Sequence, residues 1–209
     1  MTTLLTGFNR FGDLEVNPTQ LIVESMAKRP AAFANVNLVA EVLPTEFIGA
    51  GNRISQLIRQ HRPEMVVCLG VGAGFNEIHL EQVALNFDDC DMPDNAGVSR
   101  TGQRIVLDGP PSYQSTLPLV EMREALIQRG IPAIFSDDAG TYVCNHVFYL
   151  ARHEVECLGI GSLCGFIHVP QMSENTGVGA RPIFGLALGV MMEAVECCLK
   201  VGRCTAQPS

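Results

Sequence analysis

Positive charge is scarce in this sequence and is nowhere clustered. The 209 residues include 14 Lys and Arg against 22 Asp and Glu, for a formal net charge of −8, and no run of Lys or Arg exceeds two residues. Proteins that bind nucleic acids usually present a clustered basic face to the phosphates. The composition therefore argues against a nucleic-acid partner.

Long uninterrupted apolar runs are also lacking. The longest apolar segment, IFGLALGVMMEAVECCL, contains Glu193 and Glu196, which with Lys200 form a polar stripe at helical spacing. This pattern is typical of a surface helix rather than a membrane span. The opening MTTLLTGFNRFGD has no basic leader before its short apolar run, so no export signal is expected. We predict a cytoplasmic protein without a membrane partner.

The cysteines lack the spacing of a metal or disulfide framework. No Cys-x-x-Cys occurs, and no pair of cysteines stands at a zinc-like spacing with histidines. Reduced thiols in a cytoplasmic protein explain this usage better than a disulfide scaffold. The eight positions are Cys68, Cys90, Cys144, Cys157, Cys164, Cys197, Cys198 and Cys204.

What the sequence does have is a regular alternation of strand-like and helix-like segments. Strands are predicted at 2–8, 36–44, 65–70, 79–87, 133–136 and 161–169. Helices are predicted at 17–28, 45–63, 117–129, 144–155 and about 183–200, and a long ordered loop at 88–111. This order predicts an α/β fold in which helices flank a mostly parallel sheet, a three-layer sandwich formed by one domain over residues 1–209.

The glycine-rich GVGAG, residues 70–74, follows a predicted strand and could in principle cradle phosphate. It has neither the dinucleotide-binding spacing nor a Gly-Lys-Ser/Thr. We interpret these glycines as a sharp turn of the chain. A nucleoside-phosphorylase-like enzyme is nevertheless kept as an alternative.

Cys144 stands where a predicted helix begins, in AGTYVCNHVFY. Unpaired N–H groups and the positive end of the helix dipole favour a thiolate there, and they could also stabilise an oxyanion on an attacked carbonyl. A buried, inert thiol is the other interpretation, because free cysteine is commonly buried.

A nucleophilic thiol needs a base and an orienting carboxylate. His168 closes the predicted strand GSLCGFIH beside a loop, whereas His146 would point away from Cys144 around the helix. Glu81 is a lone charge in an apolar strand, either buried and paired or on a solvent-facing edge. From the residues alone, structural roles for His168 and Glu81 remain open.

Taken together, these segments resemble the pyroglutamyl peptidase type I family of cytoplasmic cysteine exopeptidases. The resemblance runs through nearly the whole chain in the expected order. Its motifs are TGFNRFG with NPT, LPTEF, EQVALN, MPDNAG, AGTYVCNHVFY and GFIHVP.

The resemblance implies a single α/β domain with a twisted mixed sheet, and hydrolysis of the amide bond after an N-terminal pyroglutamyl residue. It implies a triad of Glu81, Cys144 and His168, a thioester intermediate, no metal and no cofactor. It also implies homo-oligomers, commonly tetramers. The implied pocket for the pyroglutamyl ring consists of Phe8, Phe11, Thr45, Met92, Tyr142 and Val143.

Two positions depart from the family pattern. Gln82 and Asp91 stand where the family usually has arginine. An aspartate near the site could weaken catalysis through like-charge repulsion of a thiolate. A homologue that binds pyroglutamyl peptides but cleaves them poorly or not at all is therefore a second alternative.

Overall fold

The computed structural model describes residues 1–12, 15–28, 37–74, 76–173 and 185–206. The helices described are α1 (Pro18–Ala27), α2 (Phe47–His61), α3 (Leu119–Ile127), α4 (Val143–Leu158) and α5 (Leu188–Ala206). The strands described are β1 (Thr2–Phe8), β2 (Asn37–Leu43), β3 (Met65–Gly72), β4 (Ile78–Glu81), β5 (Val83–Leu85), β6 (Asp88–Cys90), β7 (Arg100–Gln103), β8 (Ser112–Gln114), β9 (Ala133–Ser136) and β10 (Leu163–Pro170).

Six of these strands form the central sheet in the order β2-β1-β3-β10-β4-β9. Neighbouring strands in it are parallel, except that β4 runs antiparallel to β10. The inner strands β1, β3 and β10 are almost wholly buried, as expected when helices cover both faces of a sheet. Their continuous apolar runs explain why the sequence predicts them well.

Two separate cores place the sheet between two helical layers. One core joins one face of the sheet to α1, α3 and α5, and the other joins the opposite face to α2 and α4. The predicted fold class, a mostly parallel mixed sheet flanked by helices in one domain, is confirmed.

The structure corrects the prediction in two segments. The segment predicted as one strand at 79–87 is two strands, because β4 belongs to the central sheet whereas β5 pairs with β8. The predicted loop at 88–111 contains the antiparallel pair β6 and β7. The last helix begins at Leu188, and the predicted start near 183 lies outside the described residues.

The glycines of GVGAG, predicted as a sharp turn, form one only at the end of the motif. Gly70 and Gly72 are strand residues that pair with β10. Gly74 follows in a turn with φ of +77°, a conformation that glycine adopts without steric cost.

Candidate active site

Cys144 lies in the first turn of α4, at the point where the chain turns sharply into the helix. Gly140 has φ of +76° in that turn, which favours glycine. The N-cap residue, Tyr142, makes no side-chain capping hydrogen bond. The first-turn N–H groups and the helix dipole therefore act on a partly exposed thiol.

The imidazole of His168 is positioned from the middle of the sheet. In β10 it stands opposite Gly70 of β3 on one side and opposite His79 of β4 on the other. A Cβ atom at Gly70 would lie 2.8 Å from Cδ2 of His168 and 2.8 Å from the Phe166 ring. Any larger residue at position 70 would therefore clash with the imidazole.

Glu81 fixes the orientation of that imidazole. Its carboxylate is fully buried, and Oε1 lies 2.8 Å from Nδ1 of His168. Since Nδ1 is engaged, Nε2 is the nitrogen left for Cys144, whose thiol is hydrogen-bonded to the ring. Burial opposes a charge on His168, but the contacts with Cys144 and Glu81 outweigh it and raise the pKa of His168 to about 9. The structure therefore brings the three predicted triad residues together.

A small cavity opens beside the thiol. It contains about 230 Å³ of empty space, part of which is open to solvent, and its lining is predominantly apolar. Five of the six predicted pocket residues line it, and Met92 does not; Met92 is 44% exposed. The lining residues are Phe8, Phe11, Asn17, Thr45, Val71, Tyr142, Val143 and Cys144.

Two lining residues, Asn17 and Val71, were not predicted. Asn17 is the N-cap residue of α1, and its side chain accepts a hydrogen bond from the Thr19 amide at 3.0 Å. Its amide nitrogen also donates to the carbonyl of Asn9, at 3.0 Å, beside the pocket. A place at the start of a predicted helix carries no information about this second contact.

An ordered loop, residues 91–98, contacts the first residue of α2 and the N-cap residue of α4. Asp94 accepts hydrogen bonds from the amides of Phe47, Ala96 and Val98, at 2.8, 2.9 and 2.8 Å. One buried carboxylate thus accepts hydrogen bonds from the first N–H group of α2 and from two N–H groups of its own loop. The Tyr142 hydroxyl donates to the carbonyl of Pro93 at 3.2 Å, which connects this loop to the start of α4.

A second buried charge cluster lies behind the pocket and was missed in the sequence. Asp88 is fully buried, and its Oδ2 lies 2.8 Å from Nδ1 of His146 and 2.7 Å from Nε of Arg100. His146 contacts the Phe47 ring edge-on at 5.4 Å between centroids. The sequence placed His146 away from the thiol correctly, but gave no sign of its partners on β6 and β7.

Cys144 is less buried than the interior cysteines. It raises the pKa of Cys68 to about 12 and also raises the pKa values of Cys164 and Cys198. A thiolate is therefore disfavoured at those positions. Exposed Cys157 lies 3.5 Å from Nε2 of His153, but outside the pocket that Cys144 lines.

Comparisons with known proteins point to one family. The family model for pyroglutamyl peptidase matches residues 1–202. The chain belongs to the pyroglutamyl peptidase family. A pyrrolidone-carboxylate peptidase of Oceanobacillus iheyensis is 38% identical over 94% of this chain and 96% of its own length. One of Pseudomonas fluorescens is 40% identical over 88% of this chain and 84% of its own.

Solved structures from the family have the same fold. The pyrrolidone carboxyl peptidase of the hyperthermophile Pyrococcus furiosus superposes with a TM-score of 0.92 at 31% identity, over 99% of this chain and 100% of that one. Family membership confirms the family predicted from the sequence and the prediction of an enzyme. It leaves the phosphorylase alternative without support.

Over the described ranges, no helix has the length and apolarity needed to cross a membrane. Within the same residues, no group of three or more His, Cys, Asp or Glu side chains is arranged to hold a metal ion.

Proposed function

We propose that this pyroglutamyl peptidase family member hydrolyses the amide bond after an N-terminal pyroglutamyl residue with Cys144 as nucleophile, His168 as acid–base catalyst and Glu81 as the orienting group. One observation carries the proposal. The Glu81 carboxylate is hydrogen-bonded to His168, which is hydrogen-bonded to the Cys144 thiol, and that thiol lies at the edge of an apolar pocket.

The first half of the reaction follows from the protonation of His168. His168 accepts the proton of the Cys144 thiol, and its own pKa, raised to about 9, favours the imidazolium that results. Sγ attacks the pyroglutamyl carbonyl carbon, and the resulting oxyanion is stabilised by first-turn N–H groups of α4. As the C–N bond breaks, His168 donates its proton to the leaving nitrogen, and a thioester remains on Cys144.

The second half restores the enzyme. Neutral His168 accepts a proton from a water molecule as its oxygen attacks the thioester carbonyl. The C–S bond breaks, 5-oxoproline leaves, and the imidazolium and thiolate form again. Glu81 keeps Nδ1 protonated throughout, so that Nε2 always faces the reacting atoms.

The pocket explains why a pyroglutamyl ring would be accepted. The ring is small and uncharged, so it can enter an apolar cavity beside Phe8, Phe11 and Tyr142 without an ionic partner. A peptide with an ordinary charged N-terminus would bury an unpaired ammonium group there, which costs several kcal/mol. Selection by the absence of charge is therefore the expected basis of specificity.

The deciding experiment compares a pyroglutamyl-coumarin amide with its prolyl analogue in the presence of a reductant. We expect release from the first substrate alone. The variants Cys144→Ala and His168→Ala should lose essentially all turnover, whereas Glu81→Gln should keep measurable activity. Cys204→Ser removes an exposed cysteine and is the matched control. Full activity of Cys144→Ala would exclude the proposed nucleophile.

A weakened or binding-only homologue is the second candidate, motivated by Gln82 and Asp91. Gln82 donates to Asp137 at 2.5 Å, and Asp91 is exposed. Asp91→Arg should raise turnover if the aspartate handicaps the site, and an unchanged or lower rate would remove that explanation. Binding of pyroglutamyl peptides without any release of product would favour the binding role over catalysis.

We also propose that the enzyme is a cytoplasmic homo-oligomer, with a tetramer expected from the family resemblance. Light scattering coupled to size-exclusion chromatography tests the number of subunits. A monomer at micromolar concentration would contradict the assembly without affecting the proposed chemistry.

A further inference from the structure

A second histidine stands directly beside the proposed triad. Within the described part of the central sheet, β4 and β10 are the one antiparallel pair, and their register sets His79 opposite His168 and Glu81 opposite Phe166. Paired residues project to the same face of a sheet, as do residues two apart in a strand. His79, Glu81 and His168 therefore share one face, with Glu81 diagonal to His168.

The surroundings of His79 contain few charges. It is 9% exposed, and the charges that act on it are those of Glu77, Glu81 and His168. Its Nε2 lies 3.7 Å from a carboxylate oxygen of Glu77. On the β9 side the opposite residue is Ile134, which has no charge.

Glu81 uses only half of its hydrogen-bonding capacity. Oε1 bonds to His168, whereas Oε2 is buried and has no hydrogen-bond partner among the residues the structure describes. A buried carboxylate oxygen without a donor is costly, about 1–3 kcal/mol or more. It is therefore ready to accept a proton donor that becomes available on the same face.

We propose that His79 is a positioning residue of the triad. While His79 is a neutral imidazole, the Glu81 carboxylate stays hydrogen-bonded to His168; once His79 is protonated, it competes with His168 for that carboxylate. The inference rests on the proposed function for its effect on turnover, although the competition itself does not depend on the substrate.

The direction of the pH effect follows from the local charges. Burial lowers the pKa of His79 below its ordinary value of 6.5; the carboxylates of Glu81 and Glu77 oppose this shift, and His168 adds to it. His79 is consequently neutral at neutral pH, where His168 is charged. Acidification below 6.5 places a second positive charge opposite His168, which disfavours the His168 imidazolium and draws Glu81 away from it. Catalysis should weaken on that acid side.

Two measurements on the full chain test this inference. The first follows the His168 ring signals by NMR from pH 4 to 10 in the wild type, in His79→Gln and in His61→Gln, without substrate. His61 is at the end of α2, so its variant is the matched control. We expect the wild type and His61→Gln to show an additional acid-side inflection in the His168 signals, which His79→Gln lacks.

The second measurement is the pH profile of kcat with the pyroglutamyl-coumarin amide, each profile scaled to its own maximum. The acid limb of His79→Gln should move to lower pH by about 1 unit, as expected when a neighbouring like charge is removed. An unshifted limb, or an acid inflection of His168 that persists in His79→Gln, would overturn the inference. If no variant hydrolyses the substrate, the proposed function fails, and the NMR titration still decides the role of His79.

Discussion

At the scale of single residues, the site depends on a glycine, Gly70, which has no side chain. Gly70 leaves the space in which the imidazole of His168 lies, since a Cβ there would approach both His168 and Phe166 to 2.8 Å. Both neighbours are packed ring atoms of buried residues, which cannot easily withdraw. The position of the His168 imidazole therefore depends on Gly70 in the neighbouring strand β3.

Gly70→Ala should lower kcat/KM for the pyroglutamyl-coumarin amide by at least roughly tenfold, equivalent to about 1.4 kcal/mol of transition-state stabilisation, because the ring must shift. Gly189→Ala is the control, since a Cβ there would meet nothing within 4 Å. The comparison requires kinetics together with circular dichroism to confirm folding. Equal activity of the two variants would show that His168 is not held by this contact.

The charge state of His168 sets an expected alkaline limit. Its pKa is raised to about 9, so the imidazolium is present below that pH and is lost as the pH rises through it. We expect kcat/KM of the wild type to fall with a midpoint near pH 9. In Glu81→Gln this midpoint should move to lower pH, because one of the contacts that raise the pKa has lost its charge. A midpoint that does not respond to the substitution would argue against a Glu81–His168 pair.

The same shift affects stability, with a defined sign. A histidine whose pKa is higher in the folded state than its unfolded value of about 6.5 stabilises the folded chain fully below pH 6.5. That contribution disappears as the pH rises through about 9. Activity and this part of the stability should therefore decline over the same alkaline range.

At the scale of elements, the cluster of Asp88, His146 and Arg100 joins the β6–β7 pair to α4. Asp88→Ala should destabilise the protein by about 3–5 kcal/mol, because it leaves the largely buried Arg100 without its carboxylate. Urea unfolding monitored by circular dichroism measures the change. Asp89→Ala alters the adjacent, exposed carboxylate, which accepts a hydrogen bond from the Gly102 amide at 3.0 Å, and should cost about 1 kcal/mol. Similar losses in both variants would contradict a structural role for the cluster.

Elements also show where sequence reasoning succeeded and where it did not. The apolar run of β3 and the cysteine at the start of α4 are local signals, and both appear where they were predicted. The direction of β4 is not local, since an antiparallel neighbour for β10 is selected by tertiary packing. For the same reason, Glu81 could not be distinguished from an edge-strand charge until its partner on β10 was known.

The segment at 88–111 was predicted as a loop because Asp, Gly, Pro and Asn dominate it. Asp88 is nevertheless buried, because its carboxylate pairs with His146 and Arg100. These partners lie 58 and 12 positions further along the chain. Composition reports the average preference of a segment for water, whereas a single buried carboxylate depends on partners from other elements. Most of the fold was therefore predictable, and the supports of the site were much less so.

At the scale of the whole molecule, the eight cysteines divide into two equal classes. Brief treatment of the folded protein with iodoacetamide should modify only Cys90, Cys144, Cys157 and Cys204, which are exposed or partly exposed. The buried residues Cys68, Cys164, Cys197 and Cys198 should resist until urea is added, because burial raises their thiol pKa values as well as shielding them. Mass spectrometry of the digested protein gives the label at each position, and early modification of Cys68 would contradict this division.

The bond between Glu81 and His168 joins residues 87 positions apart, and it forms only where β4 and β10 lie side by side. A growing polypeptide on the ribosome has therefore made its carboxylate and its thiol before the strand that bears the imidazole exists. Under the proposed mechanism the nascent chain stays inert until more than three quarters of it has been synthesised and β10 has docked, and recovery of turnover after refolding should lag behind formation of the helices.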